Sequence, residues 1–349
     1  MVLDKILNDR EQLILQAVVH TYIVTAEPVG SRTLVERYDL DLSSATVRHV
    51  MAELEEAGFL QQVHISSGRI PTIQGYRYYI DYLMRVRRLA LAERTRIEAE
   101  LSNRLNDLEA VMRQTCHLLA LISRHVGMVE PPSPSAARVR TIELMPLASN
   151  RIAVLVADTF DRVHSETVAV EERLGERDLS RLRQFLNDHL RGAKVEELRS
   201  ELQLVLAALH DEHHRLCEQA LSLFDPFPTT WPARLYLDGA AQLFEQPEFD
   251  DMAKAREVFH LIEARDQLIE LLRAAVRDGP PRPWVVIGGE TDREGLEEIS
   301  VVAAPYCIGD QPVGMLGVLG PRRMAYPRVA GLVDYTANLL SRFLTRLAG

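Results

Sequence analysis

The chain has 349 residues, 47 % of them hydrophobic, and a formal net charge of −10. That length implies two or three domains, and the acid excess excludes a protein that coats nucleic acid indiscriminately. No apolar run is long enough to span a bilayer, and Met1-Val2-Leu3-Asp4-Lys5 lacks the basic and apolar regions of a signal peptide. Cys116, Cys217 and Cys307 are too scattered for a disulfide framework or a C-x-x-C ligand pair, so a reducing, cytoplasmic setting with no membrane association is expected.

Asn8-Asp9-Arg10-Glu11 has the capping-box pattern. Leu13, Ile14, Ala17, Val18, Tyr22 and Ile23 follow at helical spacing, which predicts a helix over 9–24. Thr25 to Pro28 breaks it. A second helix starts at Gly30 or Ser31 and runs to about Tyr38, and Asp39 to Leu42 form a short turn.

Ser43 is a good N-cap for a third helix, with Leu42 placed to staple onto Val47 and Gly58 to end it. Val47, Met51 and Leu54 share a face that can be buried. Ser44, Arg48 and Ala52 share another, with Ala45 and His49 beside them. That second face has no bulk and carries a hydroxyl, a guanidinium and an imidazole, which suits a helix that enters a groove and reaches base edges. Phe59 to Val63 reads as a strand, Ser66-Ser67-Gly68 as a turn and Arg69-Ile70 as the return. Three helices followed by a short basic hairpin have the layout of a winged helix-turn-helix; the other reading is an ordinary helix and hairpin in a small α/β core. Between Ser43 and Arg88 six arginines face four acids, a local charge of +2 on an acidic body, which fits a site-selective binder of double-stranded DNA.

Tyr76, Tyr78, Tyr79 and Tyr82 interleave with Arg77, Arg85, Arg87 and Arg88. Such a segment either grips a phosphate backbone or packs its tyrosines against the hairpin and leaves its arginines in water. Residues 88–126 read as a long amphipathic helix interrupted near Ser102-Asn103, which either seats the first unit on the next domain or pairs with its copy in a second subunit. Gly127 to Ser135 reads as a linker.

Beyond it, 139–146, 151–157 and 163–170 read as strands, 173–224 as largely helical, and 234–237 as a strand. A helical stretch follows over 250–277, then strands at 284–287, 299–306 and 313–319 and a final helix over 331–346. The expected division is a winged-helix unit at 1–88, a connecting helix and linker at 89–130, and an α+β domain at 131–349 built on a mixed sheet. A helical segment is expected to be inserted in that domain at about 173–250.

Nothing calls for catalysis. His210 and His214 sit one turn apart, in a charged stretch that reads as solvated. Gly314, Gly317 and Gly320 lie in an apolar strand and do not make a dinucleotide fingerprint, so close packing explains them better. Gly288-Gly289-Glu290 lacks the Gly-Lys-Ser/Thr of a P-loop. Cys116 reads as a small core residue. The expectation is a non-enzyme with no cofactor and no metal.

The segments Ser43 to Arg48, Leu54 to Leu60, His64 to Pro71 and Gly75 to Asp81 resemble the N-terminal region of the bacterial heat-inducible transcription repressors, the HrcA family. Gly314 to Val329, with Gly320-Pro321-Arg322-Arg323-Met324-Ala325-Tyr326-Pro327 at its centre, is similar to that family's closing segment. The resemblance implies a winged-helix domain, a GAF-like domain and a dimerising segment inserted in it. It implies a homodimeric repressor of chaperone genes on an inverted-repeat operator, kept active by the chaperonin.

On this reading Ser44, Thr46, Arg48 and His49 contact DNA from the third helix, Ser67 and Arg69 from the wing, and Arg77 just beyond it. One departure stands out. The family usually carries Asn and then Glu after the arginine, where this chain has His49 and Val50, so the bidentate grip of an amide on adenine is lost. The alternative is a small-molecule-responsive winged-helix regulator with its ligand in the GAF-like domain.

Overall fold

The computed structural model describes residues 7–63, 68–102, 108–133, 136–147, 150–170, 174–208, 220–224, 234–274, 283–290 and 297–348. The N-terminal unit contains α1 (Asp9–Thr25), α2 (Ser31–Arg37), α3 (Ser44–Glu56), β1 (Leu60–Gln62), β2 (Arg69–Pro71) and α4 (Ile73–Tyr78), which continues as a π-helical turn to Leu83. The capping box forms as read: the Asn8 side chain accepts from the Arg10 and Glu11 amides while Glu11 accepts from the Asn8 amide. Leu60 pairs with Pro71 and Gln62 with Arg69 in an antiparallel hairpin. Val29 adds a bridge to Arg69, each amide donating to the other's carbonyl at 2.9 Å. Gly68 makes this contact possible, since a Cβ there would stand 2.4 Å from the Val29 backbone.

Helices α5 (Leu91–Ser102) and α6 (Leu108–Ser123) follow, and then β3 (Val126–Val129). The first three residues of the segment read as a linker, Gly127 to Val129, belong here to a fully buried central strand. Gly127 lets α6 lie against it, because a Cβ would meet the Cys116 carbonyl oxygen at 2.3 Å. β3 sits in a five-stranded sheet with β7 (Tyr236–Asp238), β8 (Trp284–Ile287), β9 (Ile299–Ile308) and β10 (Gln311–Pro321), in the order β7-β3-β10-β9-β8. Every pairing in it is antiparallel, so the expected mixed sheet is corrected.

Both faces of this sheet are covered. Val302, Ala304, Leu316 and Val318 face one apolar cluster, which includes α6 and the long final helix α12 (Tyr326–Ala348). Val301, Ala303, Met315 and Leu319 face another, which includes α10 (Met252–Glu263) and α11 (Arg265–Ala274). Two-sided burial explains why these strands read as unbroken apolar runs. The glycines of β10 serve close packing, as expected: an added Cβ would strike Tyr306 from Gly314, the Val302 carbonyl from Gly317 and the His125 ring from Gly320.

The insertion differs from expectation. β4 (Val139–Leu147), β5 (Arg151–Asp158) and β6 (Val163–Ala169) do not join the central sheet; they form a separate antiparallel sheet in chain order. Helices α7 (Glu176–Leu190) and α8 (Leu198–Ala208) belong to the same unit, which has its own core around Ile142, Val154, Leu182, Leu186 and Phe224. The excursion therefore runs from the end of β3 to the start of β7, roughly residues 130–235 rather than 173–250, and carries strands as well as helices.

The N-terminal unit does not hang free. One apolar cluster runs from Leu7 through α1, α3 and Tyr76 into β9, β10 and α12. The Tyr76 and Tyr326 rings meet edge to face with centroids 6.0 Å apart, and the Arg87 amide donates to the Pro327 carbonyl at 2.8 Å. Short α9 (Ala240–Leu243) follows β7 and leads to a single 3-10 turn at Pro247–Phe249. Among the described residues, no helix is long and apolar enough to cross a membrane.

Candidate nucleic-acid interface

Helix α3 begins at a satisfied cap. The Ser43 hydroxyl accepts from the Thr46 amide at 3.1 Å and lies 2.9 Å from the Thr46 hydroxyl. Ser44 Oγ meets Ser31 Oγ at 3.0 Å, so the first turns of α2 and α3 are pinned together. Val47, Val50, Met51 and Leu54 point into the core. Ala45, Arg48 and His49 are exposed, with Ser44, Thr46 and Ala52 half-buried beside them. The slim polar face thus looks outward.

Arg48 has no carboxylate partner among the described residues, which leaves its five N–H donors for a ligand. His49 reaches back one turn, its Nε2 lying 3.4 Å from Glu53 Oε1. Val50 is only 6 % exposed, so of the two departures from the family pattern just one, His49, is on the outer face.

The two other candidate arginines, Arg69 and Arg77, are engaged within the chain. Arg69 Nε donates to Glu55 Oε2 at 2.7 Å, joining the hairpin to α3, and its side chain is 15 % exposed. Arg77 donates through Nε to Glu290 at 2.7 Å and through Nη2 to the Val285 carbonyl at 2.9 Å, so it anchors the N-terminal unit to β8 and the turn after it. Burial alone would lower the pKa of Arg77; the bonds to Glu290 outweigh it and hold the guanidinium charged. Tyr76, Tyr78 and Tyr79 are buried, in line with the packing reading, while Arg85, Arg87 and Arg88 are exposed. Ser67 lies outside the described residues, as do His210 and His214.

The structure therefore brings Ser44, Thr46, Arg48 and His49 together on one helix end, with Arg69 held by Glu55 at the other end of α3 and Arg77 apart from them. Ser31, which fixes the α2–α3 angle, was read only as a helix start; its signal was a small hydroxyl at the position that meets the next helix. Cys116 is a buried core residue whose thiol burial pushes up in pKa.

Residues 109–330 match the family described as "HrcA protein C terminal domain". The heat-inducible transcription repressor HrcA of Geobacter sulfurreducens is 37 % identical over 341 residues, covering 97 % of this chain and 98 % of that protein. The chain belongs to the HrcA family. The repressor HrcA of Syntrophobacter fumaroxidans is likewise 37 % identical over 343 residues, covering 97 % of both proteins. A crystal structure at 2.2 Å, described as that of a hypothetical protein, superposes with a TM-score of 0.65 at 27 % identity, covering 98 % of this chain and 100 % of that one. The HrcA relationship thus spans both the N-terminal unit and the central sheet, and it places the chain among regulators rather than enzymes.

Proposed function

We propose that this HrcA-family chain represses heat-shock genes as a homodimer. Each subunit lays α3 of a winged helix-turn-helix unit into the major groove of one half of an inverted-repeat operator. The observation that carries this is the outward face of α3, where Ala45, Arg48 and His49 are exposed and Arg48 has no carboxylate partner among the described residues. Arg48 reads a base or grips phosphate, with Ser44, Thr46 and His49 beside it; Ser67 remains the sequence-based candidate on the wing. Arg69 and Arg77 take supporting roles, since both guanidiniums already hold carboxylates.

The central sheet with its covering helices is the GAF-like domain of this reading, and the insertion is its dimerising segment. Met145, Leu147 and Val163 are exposed on the strands of the insertion, which supports a partner there. The chaperonin enters as the activity modulator that the family resemblance implies. Helices fill both faces of the central sheet, which favours this reading over a ligand-gated regulator.

The test is selection of bound fragments from random DNA by the full chain, with and without chaperonin. A recovered inverted repeat, better retained when chaperonin is present, is the expected result. Fragments without symmetry or sequence preference would overturn the proposal.

A further inference from the structure

The closing-segment motif Pro321 to Pro327 has no part in the DNA-facing surface, yet it touches three parts of the molecule at once. Arg323 Nη1 donates to the Ile23 carbonyl at 3.1 Å. Its Nη2 donates to Gln246 Oε1 at 3.1 Å, and its Nε pairs with Glu248. Ile23 lies in the last turn of α1, whose final carbonyls have no intrahelical donors. That turn contains no basic residue of its own, so the cation that complements the helix end arrives from 300 positions away.

Gln246 and Glu248 belong to the segment that follows β7 and α9, where the chain has returned from the insertion to the central sheet. Its Phe249 is buried with Val126 and Met128 of β3. The Arg323 and Glu248 side chains are only 14 % and 16 % exposed, so the pair is little screened by solvent. A planar guanidinium holding acceptors from two bodies fixes their mutual angle in a way a point charge cannot. A few residues on, Tyr326 packs on Tyr76 while its hydroxyl lies 3.0 Å from Ser300 Oγ. The motif thus grips the N-terminal unit at two separate places, the end of α1 and α4.

We propose that Arg323 is a positioning residue for operator recognition: it sets the angle between the DNA-reading unit and the central domain from which the insertion projects, and so the half-site spacing a dimer accepts. The inference rests on the dimeric operator reading above. Two linked reading heads gain affinity from the effective concentration of the second once the first is bound, and that gain requires their separation to match the site. Loosening the joint leaves each head intact and removes the match.

The experiment compares the full-length chain with Arg323→Ala, Arg323→Lys and Glu248→Gln on three duplexes: the inverted repeat recovered by selection, the same duplex with one half scrambled, and the repeat with five base pairs inserted at its centre. Expected for Arg323→Ala are an unchanged Kd on the single half-site, a loss on the order of tenfold on the intact repeat, and a smaller penalty for the insertion than the unmodified chain shows. Arg323→Lys and Glu248→Gln, which disturb the joint less, should fall between. Equal losses on single and paired half-sites, or no loss on either, would overturn the assignment. A native chain that prefers neither repeat would overturn the function reading together with it.

Discussion

Arg69 and Glu55 stand 2.7 Å apart, one on the returning strand of the hairpin and the other on the last turn of α3. The pair makes helix and hairpin one rigid piece and withholds the arginine from any ligand. Glu55→Gln should free that cation. The expected outcome is a salt dependence of DNA binding steeper by about one counterion, with stability lower by about 1 kcal/mol for loss of a partly exposed pair. Titrations at several ionic strengths and urea denaturation check the two parts separately.

Arg48→Ala should weaken operator binding by about 1–3 kcal/mol if the guanidinium reads a base. A gel-shift titration against operator and random duplexes decides its role. A loss confined to the operator marks a base contact, and an equal loss on both marks a phosphate contact.

His49 and Val50 make an internal contrast, since one faces out and the other is buried. His49→Asn should change the base preferred at one position of the selected site and leave stability within about 0.5 kcal/mol. Val50→Ala should do the reverse, lowering stability by about 1.6 kcal/mol for two buried carbon groups with the selected sequence unchanged. Selection from random DNA and chemical denaturation of each variant supply both readings.

Gly127→Ala should lower stability by about 3 kcal/mol or prevent folding, because the new methyl meets the Cys116 carbonyl and the Ala120 amide nitrogen in the backbone of α6. Denaturation followed by circular dichroism tests this. A stability equal to that of the native chain would mean that α6 can move off β3 freely.

His125 is buried beside Gly320, and burial, helped by the nearby Arg323 charge, pushes its pKa down to about 4. The unfolded chain takes up that proton near pH 6.5 and the native state refuses it, so stability falls as pH drops from 6.5 through 4. The full loss is about 3 kcal/mol. Asp158 adds to the decline at lower pH. Burial would raise its pKa, but bonds from His164 and Arg162 outweigh this and hold it below the usual carboxylate value. Melting temperatures between pH 4 and 7 should therefore slope upward, and His125→Gln should flatten that slope.

The helices of the N-terminal unit were legible because cap, staple and period are all local: Asn8, Ser43 and the Val47/Met51/Leu54 stripe need no distant partner to be read. β3 was not, because a four-residue apolar run with a glycine, followed by two prolines, looks like a linker until α6 supplies the reason for Gly127. The strands of the insertion are visible in the sequence, but the sheet they belong to is not. The available signal was the alternation of buried and open positions along 151–158, against the unbroken burial along 299–304. The fates of Arg69 and Arg77 were hidden for a different reason: Glu55 and Glu290 were two acids among 50, and only the fold selects them.

Synthesis runs from the first residue to the last, and the shared cluster beneath Tyr76 gives that order a consequence. Tyr326 leaves the ribosome 250 residues after Tyr76, a delay of about 12–50 s at ordinary elongation rates. Throughout that interval the nascent reading head carries a bare apolar underside. A message cut short before the codons for Tyr326 yields a head with nothing to sit on.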